Sequence, residues 1–184
     1  MTTTPWAPMF AALFENCAGL VELRALPSER RAFFAPTETD AIAGFLAQHH
    51  GQDLYFGVAT RRDRSSGKLE NCRHLGALFV DIDFKTTSEP EARERLAQFP
   101  FPPSIRVASG GGLHAYWALR EPLELPDEGY ARRLLRRLAA KLGGDLSAAE
   151  PARVLRVPGT FNRKPEYGAP RLVQVERFRA HGTV

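Results

Sequence analysis

The chain has few cysteines and no long apolar run, and each shortage excludes a class of protein. Cys17 and Cys72 are its two cysteines, so a disulfide framework is not expected. Cys72 and His74 lack a second pair of ligands at zinc spacing. No apolar run approaches the roughly 20 residues that span a bilayer, and the N-terminus lacks the charged and apolar regions of a signal peptide. We therefore expect a cytoplasmic protein with reduced thiols.

The charge balance is only mildly basic. Lys and Arg number 25 against 21 Asp and Glu, which gives a net charge of +4 over 184 residues. This excess permits a polyanionic partner without requiring one. The length suits a single domain, and the sequence shows no internal repeat or low-complexity segment.

Apolar spacing and breaker residues indicate a mixture of helices and antiparallel strands, so we expect an α+β fold. The longest predicted helix covers residues 126–142, and apolar residues recur along it every four positions. This spacing predicts a core stripe of Tyr130, Leu134, Leu138 and Leu142. Strands are predicted over residues 54–60, 75–84, 104–108 and 113–119.

A pair of carboxylates ends the strand over residues 75–84. Asp81 and Asp83 are one residue apart, so both project to the same face while Ile82 points to the other. Like charges held side by side repel, and a cation relieves this repulsion. Oxygen ligands of this kind suit Mg²⁺ or Mn²⁺. The alternative is a strand that ends in two solvated acids.

A glycine-rich turn lies between the next two strands, in the segment Ser109-Gly110-Gly111-Gly112-Leu-His114. Glycines let backbone N–H groups approach a ligand closely and form a concavity that binds anions. The Ser109 hydroxyl and the His114 imidazole can donate to phosphate oxygens. The segment is not a P-loop, because no Gly-Lys-Ser/Thr follows. The alternative is a glycine hairpin that carries a surface histidine.

A third motif follows the predicted long helix. It offers Asp145 or Glu150 as a further carboxylate, and then Arg156, Asn162 and Lys164 around a Pro-Gly turn. Basic and amide side chains beside a glycine turn suit a triphosphate. The alternative is a solvated loop with ordinary surface charges.

Together the three segments resemble the archaeo-eukaryotic primase superfamily, and in particular the primase–polymerase domains of plasmid and phage replication proteins. The resemblance covers roughly residues 54–164. In that family an Asp-x-Asp strand, a Ser-x-His-type motif and a late acid form one site. Here these residues would be Asp81 and Asp83, Ser109 with His114, and Asp145. The segment Arg-Val-Pro-Gly-Thr-Phe-Asn-Arg-Lys also looks like the signature that follows the late acid.

The resemblance implies a single catalytic domain over residues 1–184. An N-terminal α/β subregion would cover about 1–70. An RRM-like antiparallel sheet with flanking helices would form the catalytic core over about 71–184.

The activity implied is nucleotidyl transfer by a DNA primase or DNA polymerase, with two Mg²⁺ or Mn²⁺ ions held by Asp81, Asp83 and Asp145, and with Glu150 as the alternative third ligand. The triphosphate would contact a set of residues in the second and third motifs, namely Ser109, Gly110, Gly111, His114, Arg156, Asn162 and Lys164.

The implied partners are nucleoside triphosphates, a single-stranded DNA template and primer, and a helicase domain or protein. Arg61, Arg62 and Arg64 follow a predicted strand and are candidates for contact with DNA phosphates. Two other functions compete with this one. A metal-dependent nuclease or phosphoesterase also uses an acidic cluster, and a non-catalytic replication-initiation module would keep the fold and bind DNA.

Overall fold

A computed structural model describes residues 4–127 and 129–179. Its helices are α1 (Trp6–Phe14), α2 (Thr39–Gln48), α3 (Glu89–Gln98) and α4 (Tyr130–Leu142). Its strands are β1 (Val21–Leu26), β2 (Arg30–Phe34), β3 (Asp53–Gly57), β4 (Ala59–Arg61), β5 (Cys72–Asp83), β6 (Ile105–Ala108), β7 (Gly112–Glu124), β8 (Val154–Arg156), β9 (Phe161–Asn162), β10 (Arg171–Leu172) and β11 (Gln174–Phe178). Within the described ranges, no helix is long and apolar enough to cross a membrane.

Two antiparallel sheets form the framework. The larger sheet has the strand order β11-β6-β7-β5-β4, and the smaller one has the order β2-β1-β3-β8. Strands β9 and β10 pair as a separate two-stranded ribbon. The α+β prediction is confirmed. The two sheets do not divide the chain into two consecutive parts. β4 follows the strands of the smaller sheet but joins the larger one, and β8 follows strands of the larger sheet but joins the smaller one.

The strand predicted over residues 54–60 is two strands in different sheets. β3 pairs with β1, and β4 pairs with β5 after the chain passes Val58. Apolar side chains from both sheets and from α1 therefore meet in one core. Phe56 of β3 lies between Phe10 of α1, with ring centroids 4.9 Å apart, and Tyr116 of β7, at 6.4 Å.

Helix α4 packs against β5, but its buried stripe differs from the predicted one. The buried residues are Ala131, Leu135, Ala139 and Leu142, whereas Tyr130 at the start of the helix is 49% exposed. The predicted stripe consisted of large side chains and included no alanine. Two buried alanines let the helix approach the sheet closely, so the stripe lies one position later for most of its length. Glu128, inside the predicted helix, lies outside the described residues.

Arg61 cannot contact DNA phosphates as predicted, because its side chain is fully buried. Its guanidinium pairs with buried Glu22 of β1 at 2.8 Å and donates to the carbonyls of Ala59 and Ala152. The residue therefore joins the smaller sheet, the larger sheet and the segment before β8. Arg62 and Arg64 are exposed, and Arg62 donates to the Leu125 carbonyl. The role of these two in DNA binding stays a prediction.

Candidate active site

A cavity of about 290 Å³ opens between the two sheets. Strands β5 and β7 form one wall, and β3 and β8 form the other. Nine of the residues that the sequence singled out line this cavity. They are Asp81, Asp83, Ser109, Gly111, His114, Asp145, Arg156, Asn162 and Lys164.

Asp81 and Asp83 occupy the end of β5, as predicted. Within the β5–β7 pairing, Asp81 lies opposite His114 and Asp83 lies opposite Gly112. Both carboxylates line the cavity while Ile82 between them is fully buried. The Asp83 carboxylate accepts the Lys85 backbone N–H at 2.9 Å. Both aspartates are partly buried, and their role as metal ligands stays a prediction.

Asp145 reaches the same cavity because the chain turns sharply after α4. Gly143 takes a left-handed conformation with φ 75°, and a Cβ on Gly144 would collide with Val80 of β5. Strand β4 pairs with β5 only as far as Leu75, which leaves this edge of β5 free near Asp81. The turn carries the chain around this free edge, where the Asp145 N–H donates to the Asp81 carbonyl at 2.8 Å. Glu150, the alternative third ligand, is not among the described residues that line the cavity.

The carboxylate of Asp145 is held by its own loop. Its two oxygens accept the Ser147 N–H at 2.7 Å and the Ser147 hydroxyl at 2.9 Å. Partial burial alone would raise the pKa of Asp145, but these bonds outweigh it and lower the pKa below its ordinary value. The side chain is therefore ionised at neutral pH and supplies a negative charge beside Asp81.

The glycine-rich turn is a tight loop that closes one end of the cavity. The Ser109 N–H donates to the Gly112 carbonyl at 2.9 Å, and Gly110 has φ 85°, which favours glycine. A Cβ on Gly111 would collide with the Tyr167 hydroxyl. Gly110 does not line the cavity, and its carbonyl accepts a bond from Arg171 at 3.0 Å. Gly110 therefore shapes the turn, and Ser109 and Gly111 face the cavity.

His114 is buried, so the predicted alternative of a surface histidine is wrong, although β6 and β7 do form a hairpin around the glycines. Its side chain is 4% exposed, and its Nε2 lies 3.6 Å from Asp81 Oδ1. Burial lowers the pKa of His114, although Asp81 opposes this effect. The imidazole is therefore neutral at neutral pH. It can donate one N–H into the cavity without adding a positive charge.

The segment from β8 to β9 forms the opposite wall. Arg156 pairs with Asp53, and its guanidinium lies 4.8 Å from the centroid of the Tyr55 ring. Asn162 is buried and donates to the Ser109 carbonyl at 3.0 Å, which ties this wall to the glycine-rich turn. Lys164 is exposed at the edge of the cavity. Among these predicted contacts, Arg156 stabilises its own wall through Asp53 of the neighbouring strand β3. Asn162 joins this wall to the glycine-rich turn, and Lys164 is a cation at the rim.

The predictions did not include three side chains of the cavity that can form polar contacts, namely Arg153, Tyr55 and Tyr167. Arg153 NH2 lies 3.6 Å from Asp81 Oδ2, and its Nε is buried without a partner among the described residues. The third motif pointed to Arg156 and gave no reason to place Arg153 beside the aspartates. Tyr55 alternates with core residues of β3, and burial raises its pKa. Neither Tyr55 nor Tyr167 belongs to one of the three sequence motifs.

The described residues fit a divalent cation only in part. No group of three or more His, Cys, Asp or Glu side chains within residues 4–127 and 129–179 is gathered closely enough to hold a metal ion. The cavity does, however, present three carboxylates, and Mg²⁺ commonly takes one or two carboxylates and completes its shell with substrate phosphates and water. The donor set suits such a shared site and does not suit a closed cage of protein ligands.

Comparisons with known proteins identify the fold. No family model matches the chain. Two curated relatives match, an uncharacterised protein of Methanocaldococcus jannaschii (30% identical over 130 residues, 64% of this chain) and a replication protein of Clostridium perfringens (27% identical over 107 residues, 53% of this chain). The chain spans 10% of the first relative's length and 26% of the second's.

Solved structures of primase domains share the architecture over nearly the whole chain. The archaeo-eukaryotic primase domain of the cyanophage S-2L primase–polymerase has a TM-score of 0.64 at 19% identity, covering 97% of this chain and 91% of its own. The catalytic domain of primase RepB′ in complex with initiator DNA has a TM-score of 0.62 at 17% identity, covering 96% and 87%. The chain therefore has the archaeo-eukaryotic primase fold that its motifs resemble.

Proposed function

We propose that this chain is the catalytic domain of a template-dependent nucleotidyltransferase, a DNA primase or DNA polymerase that acts in replication of the plasmid or phage type. The observation that carries the proposal is one cavity that combines three carboxylates with a glycine-rich turn and three basic side chains, Arg153, Arg156 and Lys164. The fold supports it, because solved primase and polymerase domains share it.

Opposite charges on two sides of the cavity fit a nucleoside triphosphate. On one side, Asp81, Asp83 and Asp145 supply oxygen ligands for Mg²⁺ or Mn²⁺. On the other, Arg153 and Lys164 can pair with phosphate oxygens. The buried Nε of Arg153 has no partner in the described protein, so an anionic ligand would satisfy a donor that is otherwise costly to bury.

The polar groups of the glycine-rich turn would hold the β- and γ-phosphates. The Ser109 hydroxyl and one N–H of neutral His114 can donate to phosphate oxygens, and the backbone of Gly111 can approach closely because it has no side chain. These contacts orient the α-phosphorus for attack by a 3′-hydroxyl. Little covalent chemistry is required of the protein, so positioning and charge neutralisation supply most of the catalysis.

Two divalent ions, when bound by Asp81, Asp83 and Asp145, would lower the pKa of the attacking hydroxyl and stabilise the oxygens that enter and leave. Asp81 also lies near Arg153 and His114. These two neighbours would keep its carboxylate oriented toward the cavity.

The proposed macromolecular partner is a single-stranded DNA template with its primer. A RepB′ catalytic domain of the same fold was solved with initiator DNA. A helicase that acts with this domain is a further proposed partner. Nucleotide incorporation then requires template, nucleotide and metal together, which defines the test.

The experiment incubates the protein with a primed template, nucleoside triphosphates and Mn²⁺. Primer extension that is lost in Asp81→Asn and in Asp83→Asn supports the proposal. Degradation of the template would indicate a nuclease, and DNA binding without either reaction would indicate a non-catalytic module. Full extension by either variant would contradict the metal assignment.

A matched pair of variants tests which carboxylate is the third metal ligand. Asp145→Asn removes a carboxylate that lines the cavity, whereas Glu150→Gln removes one outside it. We expect Asp145→Asn to abolish extension and to weaken Mn²⁺ binding in a calorimetric titration with nucleotide present. Glu150→Gln should behave as wild type in both measurements, and the reverse result would assign the ligand to Glu150.

A further inference from the structure

The exposed half of helix α4 carries cations that the proposed site does not use. Arg132, Arg136, Arg137 and Lys141 are all exposed. Among the described residues, none of the four forms an ion pair with a carboxylate, and Arg136 donates only to the Leu146 carbonyl. The helix itself has no acidic residue. This surface therefore has a concentrated positive charge that no described acid balances.

The neighbouring helix shows that this imbalance is specific to α4. Helix α3 contacts α4 and also carries exposed arginines. There, however, Arg93 pairs with Glu89 and Glu176, and Arg95 pairs with Glu91, each at 2.6–2.7 Å. A helix face that is only solvated is commonly balanced in this way. The α4 face lacks such pairing and so fits an anionic partner.

An exposed aromatic ring lies in line with two of these cations, and the other two, Arg132 and Arg136, lie further round the exposed side of the helix. Tyr130, 49% exposed, precedes Arg137 by seven residues and Lys141 by eleven, so all three lie along one side of the helix. Cations that track a phosphate backbone, combined with an aromatic ring on which a base can stack, are the features of surfaces that bind single-stranded nucleic acid.

The position of α4 connects this surface to the cavity. The helix packs on the face of β5 that carries Val80, whereas Asp81 and Asp83 project from the other face. The helix ends at Gly143, and the turn at Gly144 leads around the free edge of β5 to Asp145. A single strand of nucleic acid that lies along α4 would therefore reach the rim of the cavity at Asp145.

We propose that the exposed face of α4, formed by Tyr130, Arg132, Arg136, Arg137 and Lys141, binds a single-stranded segment of nucleic acid outside the catalytic cavity. This proposal rests on the proposed function for its choice of partner, because a template-dependent enzyme must hold a strand on both sides of its active site. The cations bind the phosphates, and Tyr130 stacks on an unpaired base.

The test measures binding of a fluorescent single-stranded oligothymidylate of about 16 nucleotides, the upper end of common site sizes, at several salt concentrations. The variant Arg132→Gln/Arg137→Gln/Lys141→Gln leaves Arg136 and its bond to Leu146 in place. Each lost phosphate contact lowers the salt slope by about 0.7. We therefore expect the slope to fall by about 2 and the affinity at low salt to fall at least 10-fold.

Two controls separate charge at this face from other effects. Arg132→Lys/Arg137→Lys keeps the charge and should retain the wild-type salt slope. Arg30→Gln removes one charge from β2, an edge strand of the smaller sheet, and should change the affinity less than Arg137→Gln does. An unchanged salt slope in the triple variant would overturn the proposal. Equal losses of oligothymidylate affinity in Arg30→Gln and Arg137→Gln would also overturn it.

Two further measurements decide the kind of strand and separate this proposal from the proposed function. A duplex competitor should displace the oligothymidylate less well than a single strand, and Tyr130→Ala should remove this preference. Equal competition by duplex would overturn the assignment to single strands. The triple variant should bind nucleotide with Mn²⁺ as wild type does, and Asp81→Asn should bind oligothymidylate as wild type does. Absence of extension by the wild-type protein, with intact binding of the oligothymidylate, would therefore contradict the proposed function alone.

Discussion

Replacing Arg61 tests whether this residue stabilises the fold or binds DNA. Arg61 and Glu22 are both fully buried, and the pair is 2.8 Å apart. Removing one member of a buried ion pair costs about 3–5 kcal/mol, because the other charge loses its partner. Glu22 keeps Arg24 at 2.6 Å and Arg31 at 3.0 Å. We therefore expect Arg61→Met to cost about 3 kcal/mol, the lower end of that range.

This loss converts into a thermal shift that is easy to measure. For a chain of 150–250 residues, 1 kcal/mol lowers Tm by about 2–4 °C. Arg61→Met should therefore lower Tm by about 6–12 °C, measured by differential scanning fluorimetry and checked by urea unfolding. The control is Arg64→Met at an exposed position, where we expect a change within about 0.5 kcal/mol. A variant of Arg61 with wild-type Tm and weakened DNA binding would refute the reasoning.

Three further predictions follow from individual contacts. Gly111→Ala should weaken nucleotide binding several-fold in a calorimetric titration, because its Cβ collides with Tyr167, and Tyr167→Leu should restore part of the affinity if this collision is the cause. Asn162→Ala should lower the free energy of unfolding in urea by about 1–3 kcal/mol, because the buried amide bonds to Ser109 and to the Lys164 N–H are lost; a wild-type value would contradict this role. Burial raises the pKa of Cys17 to about 11, so little of this thiol is ionised at pH 8. In the variant Cys72→Ser, where Cys17 is the remaining thiol, alkylation at pH 8 should be about 10-fold slower for the folded protein than for the protein unfolded in urea. This figure allows for the greater nucleophilicity of a thiolate with a high pKa. The rate should rise with pH toward 11, and equal native and unfolded rates would contradict the burial.

The carboxylates of β5 were predictable from the sequence because their arrangement depends on neighbouring residues. Alternation along a strand places Asp81 and Asp83 on one face whatever the strand pairs with. The glycine-rich turn is equally local, since Gly110 needs a left-handed conformation wherever the turn lies. These local features, with the family resemblance, sufficed to predict most of the cavity lining.

Other features depended on partners far away in the chain. The sequence could not show that Arg61 is buried, because its partner Glu22 is 39 residues away on another strand. The resemblance pointed to Asp145 with Glu150 as the alternative, and only the turn around the edge of β5 shows that Asp145 is the one that lines the cavity. Arg153 was missed for the same reason, because its place in the cavity depends on how β8 joins the smaller sheet.

The sequence by itself therefore determined which chemical groups the chain presents and which neighbours share a face. Side-chain alternation and backbone conformation act over a few residues, and they suffice for that. Only the tertiary structure decided which charges are buried, which are paired and which remain exposed. Burial and ion pairing depend on surroundings that distant segments supply, as the paired arginines of α3 and the unpaired cations of α4 show.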